Sequence, residues 1–258
     1  MKDIIGDKIK QYEKVITSIK LDSTFPIVIR LDGNNFSTFT RNLTKPYDIR
    51  FSELMQEVSK FALQETGFDI AYVQSDEISL VYIPKETNSQ IYHDGKLYKI
   101  LSKLASKVSV RFNIRLSKYL PDKQNDEPIF DCRIFNLPDN NLAFETIKWR
   151  FKDARRNSIL SLGYWTLGHN KVVNKKGKEI LELLLENNVD WHSYPIEYKY
   201  GTFFKRIKTK NKLSEEELNN LPEKHHARLN PELEFERTII QKYNFDNIKE
   251  VREFILNN

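Results

Sequence analysis

Three acidic residues stand where two apolar, β-branched runs stop: Asp32 after Pro26-Ile-Val-Ile-Arg-Leu, and Asp76-Glu77 after Ile70-Ala-Tyr-Val-Gln-Ser. A strand that ends on a carboxylate presents that acid at the edge of its sheet. Two such strands side by side bring Asp32 and Asp76 together, and like charges at that range repel unless a cation lies between them. Each acid taken singly is also an ordinary turn residue; the pair is what carries meaning. Hard oxygen ligands of this kind suit Mg²⁺, which combines a few carboxylates with substrate phosphates. The chemistry implied is metal-dependent phosphoryl or nucleotidyl transfer, with Asp32, Asp76 and Glu77 as the catalytic acids.

The elements that must position these acids follow from periodicity. Residues 26–32 read as a short buried strand. Pro46 reads as the first-turn proline of a helix on which Phe51, Leu54, Met55, Val58 and Ala62 fall at helical spacing, with Gly67 as its stop. Residues 69–75 and 77–83 are β-rich and nearly contiguous, which predicts a tight hairpin with Ser75-Asp76 at its tip. Leu97, Leu101, Leu104, Val108 and Phe112 mark a second amphipathic helix. Residues 129–137 form a fourth strand, closed by Pro138.

Strand, helix, strand, strand, helix, strand is the order of a ferredoxin-like antiparallel sheet with two helices on one face. The expected fold class is therefore α+β, with residues 1–140 as its core. In that topology the first and third strands are central neighbours, so Asp32 and Asp76 meet at one edge. Residues 141–258 add a long helix to about Leu167, a basic turn over 171–178, a short helix over 179–186 and a strand over 198–207. A capping box follows at Ser214-Glu-Glu-Glu217. This helical and strand extension is expected to pack on the core as part of one structural unit.

Composition narrows the class. The net charge of +5 suits a polyanionic partner. No apolar run reaches the roughly 20 residues of a membrane span, and the segment 1–6 does not read as a secretory signal. Cys132 is the only cysteine, which excludes an internal disulfide and a cysteine zinc cluster. A cytoplasmic setting is expected.

Other residues admit two readings each. Gly33 lets the chain bend towards a ligand, and backbone N–H groups in the following turn suit phosphates. Lys45 places a cation next to the positive end of a helix, a strain that an anion would relieve; a solvated lysine is the plainer alternative. Lys148, Lys152 and Arg155 share one helix face, either a phosphate-backbone track or a solvated charged face. Lys199 and the basic run from Lys205 to Lys212, interleaved with Tyr200, Phe203 and Phe204, suit single-stranded nucleic acid, unless the phenylalanines belong to the core. Asp131 and Arg133 share a strand face and read as an ion pair. No nucleophile-histidine-acid set is present.

Together these residues resemble the tRNA(His) guanylyltransferase superfamily. The matching segments are Arg30-Leu-Asp-Gly-Asn-Asn-Phe36, Lys45-Pro-Tyr-Asp48, Ala71-Tyr-Val-Gln-Ser-Asp-Glu-Ile-Ser79, Phe130-Asp-Cys-Arg133, Trp149-Arg150 with Asp153, and Gly201-Thr202. The resemblance implies a polymerase-like palm that adds nucleotides to the 5′ end of tRNA, opposite to ordinary polymerases. It implies two Mg²⁺ ions held by Asp32, the Gly33 carbonyl and Asp76, with ATP and GTP or other nucleoside triphosphates as substrates. It implies nucleotide and triphosphate contacts from Asn34, Asn35, Phe36, Ser37, Lys45 and Ser75, and RNA contacts from Lys148, Arg150, Lys152, Arg155, Asn157, Lys199 and Lys205. A homo-tetramer is expected by the same analogy. One stretch departs: where the guanylyltransferases proper carry His-Ile-Asn-Asn-Leu-Tyr-Asn, this chain reads Arg155-Arg-Asn-Ser-Ile-Leu-Ser161. The expectation is accordingly template-dependent repair of 5′-truncated tRNA. The alternatives are guanosine addition to tRNA(His), a non-catalytic tRNA-binding protein and a nucleotide cyclase on the same palm.

Overall fold

Alternation along β1 (Ile27–Gly33) sends Ile27, Ile29 and Leu31 into one apolar cluster and Val28 into another, as a strand buried on both faces requires. The computed structural model describes residues 3–85 and 91–257. Met1 and Lys2, part of the segment read for a signal, lie outside them. The chain begins with α1 (Ile4–Thr17). After β1 come the single turn α2 (Phe36–Phe39) and α3 (Ile49–Thr66). The hairpin of β2 (Ile70–Gln74) and β3 (Glu77–Tyr82) leads to α4 (Leu97–Tyr119) and β4 (Phe130–Asn136). The second half holds α5 (Asn140–Leu167), α6 (His169–Val172), α7 (Gly177–Glu186), α8 (Ile196–Tyr200), β5 (Thr202–Lys212), α9 (Glu215–Asn219), α10 (His226–Leu229), β6 (Glu234–Tyr243) and α11 (Ile248–Leu256).

The first half folds in the expected order, and β1 pairs antiparallel with β3. The sheet differs in extent: it has six strands in the order β4-β1-β3-β2-β5-β6, all antiparallel. α3 and α4 cover one face through Leu54, Val58, Leu104, Val108 and Phe112. The other face is covered too, by Phe144, Ile147 and Phe151 of α5 and Val251 and Ile255 of α11. A third cluster, with Ile159, Leu162, Ile180 and Trp191, joins the far half of α5 to α6 and α7.

Three boundaries are corrected. Pro46 is not in the first turn of α3: it follows a cis peptide, and the helix starts at Ile49 with the Asp48 side chain capping the Arg50 N–H. Residues 198–200 belong to α8. The strand begins only at Thr202, because Gly201 turns the chain at φ 80°, where a Cβ would lie 2.6 Å from the Val73 carbonyl oxygen. In α4 it is Ile100 rather than Leu101 that is fully buried, so the apolar row runs Ile100, Leu104, Val108, Phe112, Leu116. No helix among the described residues is long and apolar enough to cross a membrane.

Candidate active site

Antiparallel register brings the acids together. Asp32 stands directly opposite Glu77 on β3 and Asp131 on β4, so all three side chains share the α5 side of the sheet. Ser75 takes the left-handed conformation at φ 48°, which lets the hairpin reverse in two residues. The Gly33 N–H donates to the Asp76 carbonyl at 3.1 Å, tying the hairpin tip to the end of β1. The Phe36 ring packs onto Gly33 so closely that a Cβ there would lie 2.4 Å from it. Only glycine lets the turn fold back on the strand this way.

The acids sit in different surroundings. Asp32 is partly open to solvent, with Arg133 Nη2 at 3.7 Å from its carboxylate; Arg133 also pairs with Asp131 at 3.2 Å. The Asp76 carboxyl is held above the usual carboxylate range, chiefly by burial, with the Asp32 charge adding to it and hydrogen bonds inside the turn opposing. Glu77 is buried and its carboxyl is also raised by burial, against the pull of Arg150 and Arg30. Arg150 Nε donates to Glu77 Oε1 at 2.7 Å, and Arg30 Nε lies 3.7 Å from Oε2.

Glu77 is thus paired with two arginines, while Asp32 is partly exposed with one distant arginine and Asp76 has no ion pair among the described residues. Among the described residues no group of three or more His, Cys, Asp or Glu is gathered to hold a metal. Two carboxylates and a backbone carbonyl fit Mg²⁺ as it binds in phosphate-transfer sites, where phosphates and water complete the octahedron. A cation there would also offset the burial and, beside it, the Asp32 charge that raise Asp76.

The residues expected at a nucleotide surround this edge. Asn34, Asn35 and Ser37 are exposed just past Asp32, and Asn35 takes φ 58°. Phe36 is a correction: its ring is buried against Phe39, Phe112 and Phe130, so only its backbone faces a ligand. Lys45 does not point along a helix axis. Its ammonium donates to the Thr40 carbonyl at 2.7 Å, lies 5.5 Å from the ring centre of exposed Trp165, and is held below its usual pKa first by burial. Ser75 borders a cavity of about 190 Å³ whose walls include Tyr47, Asp48, Gln56, Asn157 and Tyr198. Tyr47, Gln56 and Tyr198 carry no local signature in the sequence, because the wall is assembled from elements distant along the chain. Ser75 at the hairpin tip and Asp48, which caps α3, are wall residues that do carry a local signal; Arg50 holds the Asp48 carboxyl down to about 2.

The residues expected at RNA divide. Arg150 is turned inward, pairing with Glu77 and with Asp153 at 3.1 Å, and keeps little surface exposed. Lys205 is likewise internal: its ammonium donates to the Phe254 carbonyl at 2.9 Å and docks α11 on the sheet. Phe203 and Phe204 are core. Lys148 pairs with Glu145, Lys199 donates to the His192 carbonyl at 2.7 Å, and Arg155 and Lys199 both lie over Trp191. Asn157 faces the cavity, and Lys152 is exposed.

An antiparallel palm carrying paired acids at its edge defines a nucleotidyltransferase-like protein. The family model described as tRNAHis guanylyltransferase (Thg1) matches residues 6–138, and the chain belongs to that family. It is 34% identical over 233 residues to an uncharacterized protein of Acanthamoeba polyphaga mimivirus, covering 80% of this chain and 79% of that one. Among solved structures it is similar to a bacterial tRNA(His) guanylyltransferase (Thg1)-like protein in complex with ATP. That match has 31% identity and a TM-score of 0.73, over 78% of this chain and 88% of the other. A bacterial Thg1-like protein in complex with GTP aligns over 98% of this chain and 100% of the other, at 25% identity and a TM-score of 0.72.

Proposed function

We propose that this chain is a 3′–5′ nucleotidyltransferase that repairs the 5′ end of tRNA against a template, using ATP and nucleoside triphosphates. The observation that carries the reading is the convergence of Asp32 and Asp76 at one sheet edge, beside the Ser75 cavity. In the proposed reaction the 5′-monophosphate of the RNA attacks the α-phosphorus of ATP and pyrophosphate leaves. The 3′-hydroxyl of an incoming nucleotide then attacks the activated 5′-phosphorus and AMP leaves. Mg²⁺ held by Asp32, Asp76 and the Gly33 carbonyl would supply Lewis-acid stabilisation of the phosphoryl oxygens and a more acidic hydroxyl.

The protein's own groups do the positioning. The exposed turn from Asn34 to Ser37 and the Lys45 ammonium face the phosphates. The cavity between Tyr47, Asp48 and Tyr198 is the proposed place for the base of a triphosphate; that the bacterial relatives bind ATP and GTP supports nucleotides as substrates. Arg150 and Arg30 hold Glu77 fixed behind Asp32 and Asp76. The replacement of the His-Ile-Asn-Asn-Leu-Tyr-Asn stretch by Arg155 to Ser161 supports repair over guanosine addition to tRNA(His), since Arg155 instead lies over Trp191. We further propose a homo-tetramer, by family analogy.

The test is a 5′-monophosphorylated tRNA lacking its first nucleotide, incubated with ATP, Mg²⁺ and all four triphosphates while the templating base is varied. The expected products are an adenylylated intermediate and extension by the complementary nucleotide. Guanosine added whatever the template would assign the guanylyltransferase activity instead, and the absence of both products would reject the enzyme.

A further inference from the structure

α4 carries Lys99, Lys103, Lys107, Arg111, Arg115 and Lys118, a cation at nearly every turn. At 1.5 Å per residue the stripe spans about 28 Å. It stands one position before the buried row from Ile100 to Leu116, so it borders the seam with α3. Two acids of α3 answer four of these six cations. Glu65 pairs with Lys107, while Glu57 is shared among Arg111, Arg115 and Lys118. Lys99 and Lys103 form no ion pair among the described residues. Their field reaches His93, whose imidazole is held below its ordinary value by burial first and then by Lys103, Lys99 and Lys107. α5 also keeps two cations out of ion pairs among the described residues, Lys152 and Arg155, but Arg155 lies over Trp191 and Lys148, Arg150 and Arg156 are paired with Glu145, Glu77 and Asp153, so it offers no row of the same length.

The stripe has a direction. Beyond the end of α4 the chain brings Lys123 over the Phe39 ring at 5.4 Å. Lys123, paired with Asp126 at 2.9 Å, and Arg41 line a cleft that also holds Asp126, Glu127 and the Asn34-Asn35 turn that follows Asp32. The cations therefore lead from the far edge of the sheet to the candidate site.

We infer that this stripe is a phosphate-backbone track for a double-stranded RNA stem whose 5′ end lies at Asp32 and Asp76. The inference rests on the proposed function and adds the surface that holds the body of the substrate. A run of cations this long answers a run of phosphates, not one triphosphate. A protein partner would need an apolar centre to the patch; α4 exposes only the two aliphatic side chains Val110 and Ile114 beside the stripe, and the rings along the seam, Phe61 and Tyr119, are capped by Arg111 and Lys118. On α4 only Tyr98 exposes its ring, where single-stranded bases would stack on a succession of them.

The experiment compares the full chain with a Lys99→Gln/Lys103→Gln/Lys118→Gln variant. A Lys171→Gln/Lys175→Gln/Lys178→Gln variant serves as the charge-matched control. Binding of a 5′-monophosphorylated tRNA transcript is followed by fluorescence anisotropy across a salt series. The α4 variant is expected to bind about tenfold more weakly, with a log K against log salt slope shallower by roughly 2, and with ATP binding unchanged. In the adenylylation assay its KM for tRNA rises while kcat holds. Wild-type affinity and slope in the α4 variant, or an equal loss in the control, would overturn the track. A wild-type chain that binds tRNA through the stripe but makes no adenylylated product would instead overturn the proposed reaction and leave the track standing.

Discussion

At the scale of single residues the site turns on how Asp76 titrates. Its carboxyl is raised mainly by burial, with the Asp32 charge adding to it, so the folded state binds this proton more readily than the unfolded chain. Stability from this group is then present at low pH and declines as pH rises from the unfolded value through the raised one. At neutral pH the ionised carboxylate is a cost to the fold that a divalent cation would relieve. Asp76→Asn should therefore melt at or above the wild-type temperature without Mg²⁺, and should lose most of the upward shift that Mg²⁺ gives the wild type. Both reaction steps should fall by about 10³-fold, the several kcal/mol a metal supplies at phosphoryl oxygens. In the wild type the Mg²⁺ needed for half-maximal rate should rise as pH falls towards the raised Asp76 value, because proton and cation compete. Thermal unfolding with and without Mg²⁺, alongside adenylylation rates against pH, measures all of this. A variant that melts lower than wild type and still responds to Mg²⁺ would place the cation elsewhere.

At the scale of elements, α5 is held to the sheet by an ion pair that is almost dry: Arg150 keeps 11% of its side-chain surface and Glu77 keeps 6%. Removing one partner of such a pair strands the other charge, which costs about 3 kcal/mol. Arg150→Met should lower stability by that amount in urea unfolding, and Glu77→Gln added to it should restore most of the loss. Strictly additive losses in the double variant would mean that the two side chains do not interact. Much at this scale was legible in the sequence. The β-branched runs, the Ser75-Asp76 tip, the Gly67 stop and the Ser214 capping box all carry local signatures, and the structure places each of them. β6 carried none, because its Glu234, Glu236 and Lys242 belong to a sparsely covered edge strand that lacks an apolar row. The inward turn of Arg150 was equally hidden: its neighbours on the helix are solvated lysines, and only the fold brings Glu77 beneath it. The cations of α4 recur every four residues in the sequence, but only the fold shows that two acids of α3 pair with four of them and leave Lys99 and Lys103 out.

At the scale of the molecule, the two halves of the chain share one sheet. β5, from the second half, pairs with β2 along Ile70 to Val73. α5 and α11 bury Val28, Ile70, Tyr72 and Val81 of the first, a face that would be open apolar surface without them. Tyr72 ties the halves once more, its hydroxyl donating to the Tyr200 carbonyl at 2.7 Å. A unit built this way has no internal boundary at which few contacts cross, so unfolding should be a single cooperative event. The chain carries its own probe of this, because Trp149, Trp165 and Trp191 all lie in the second half. Tryptophan emission therefore reports α5 and the segment around Trp191, while far-UV circular dichroism reports helices and strands of both halves. The two signals should give the same urea midpoint and the same slope. Emission changing ahead of dichroism would show that residues 141–258 come away first and that the palm stands without them. Coincidence would mean that the acids of the first half and the cavity walls of the second are held by the same cooperative fold, so that any substitution loosening α5 from the sheet also loosens the site.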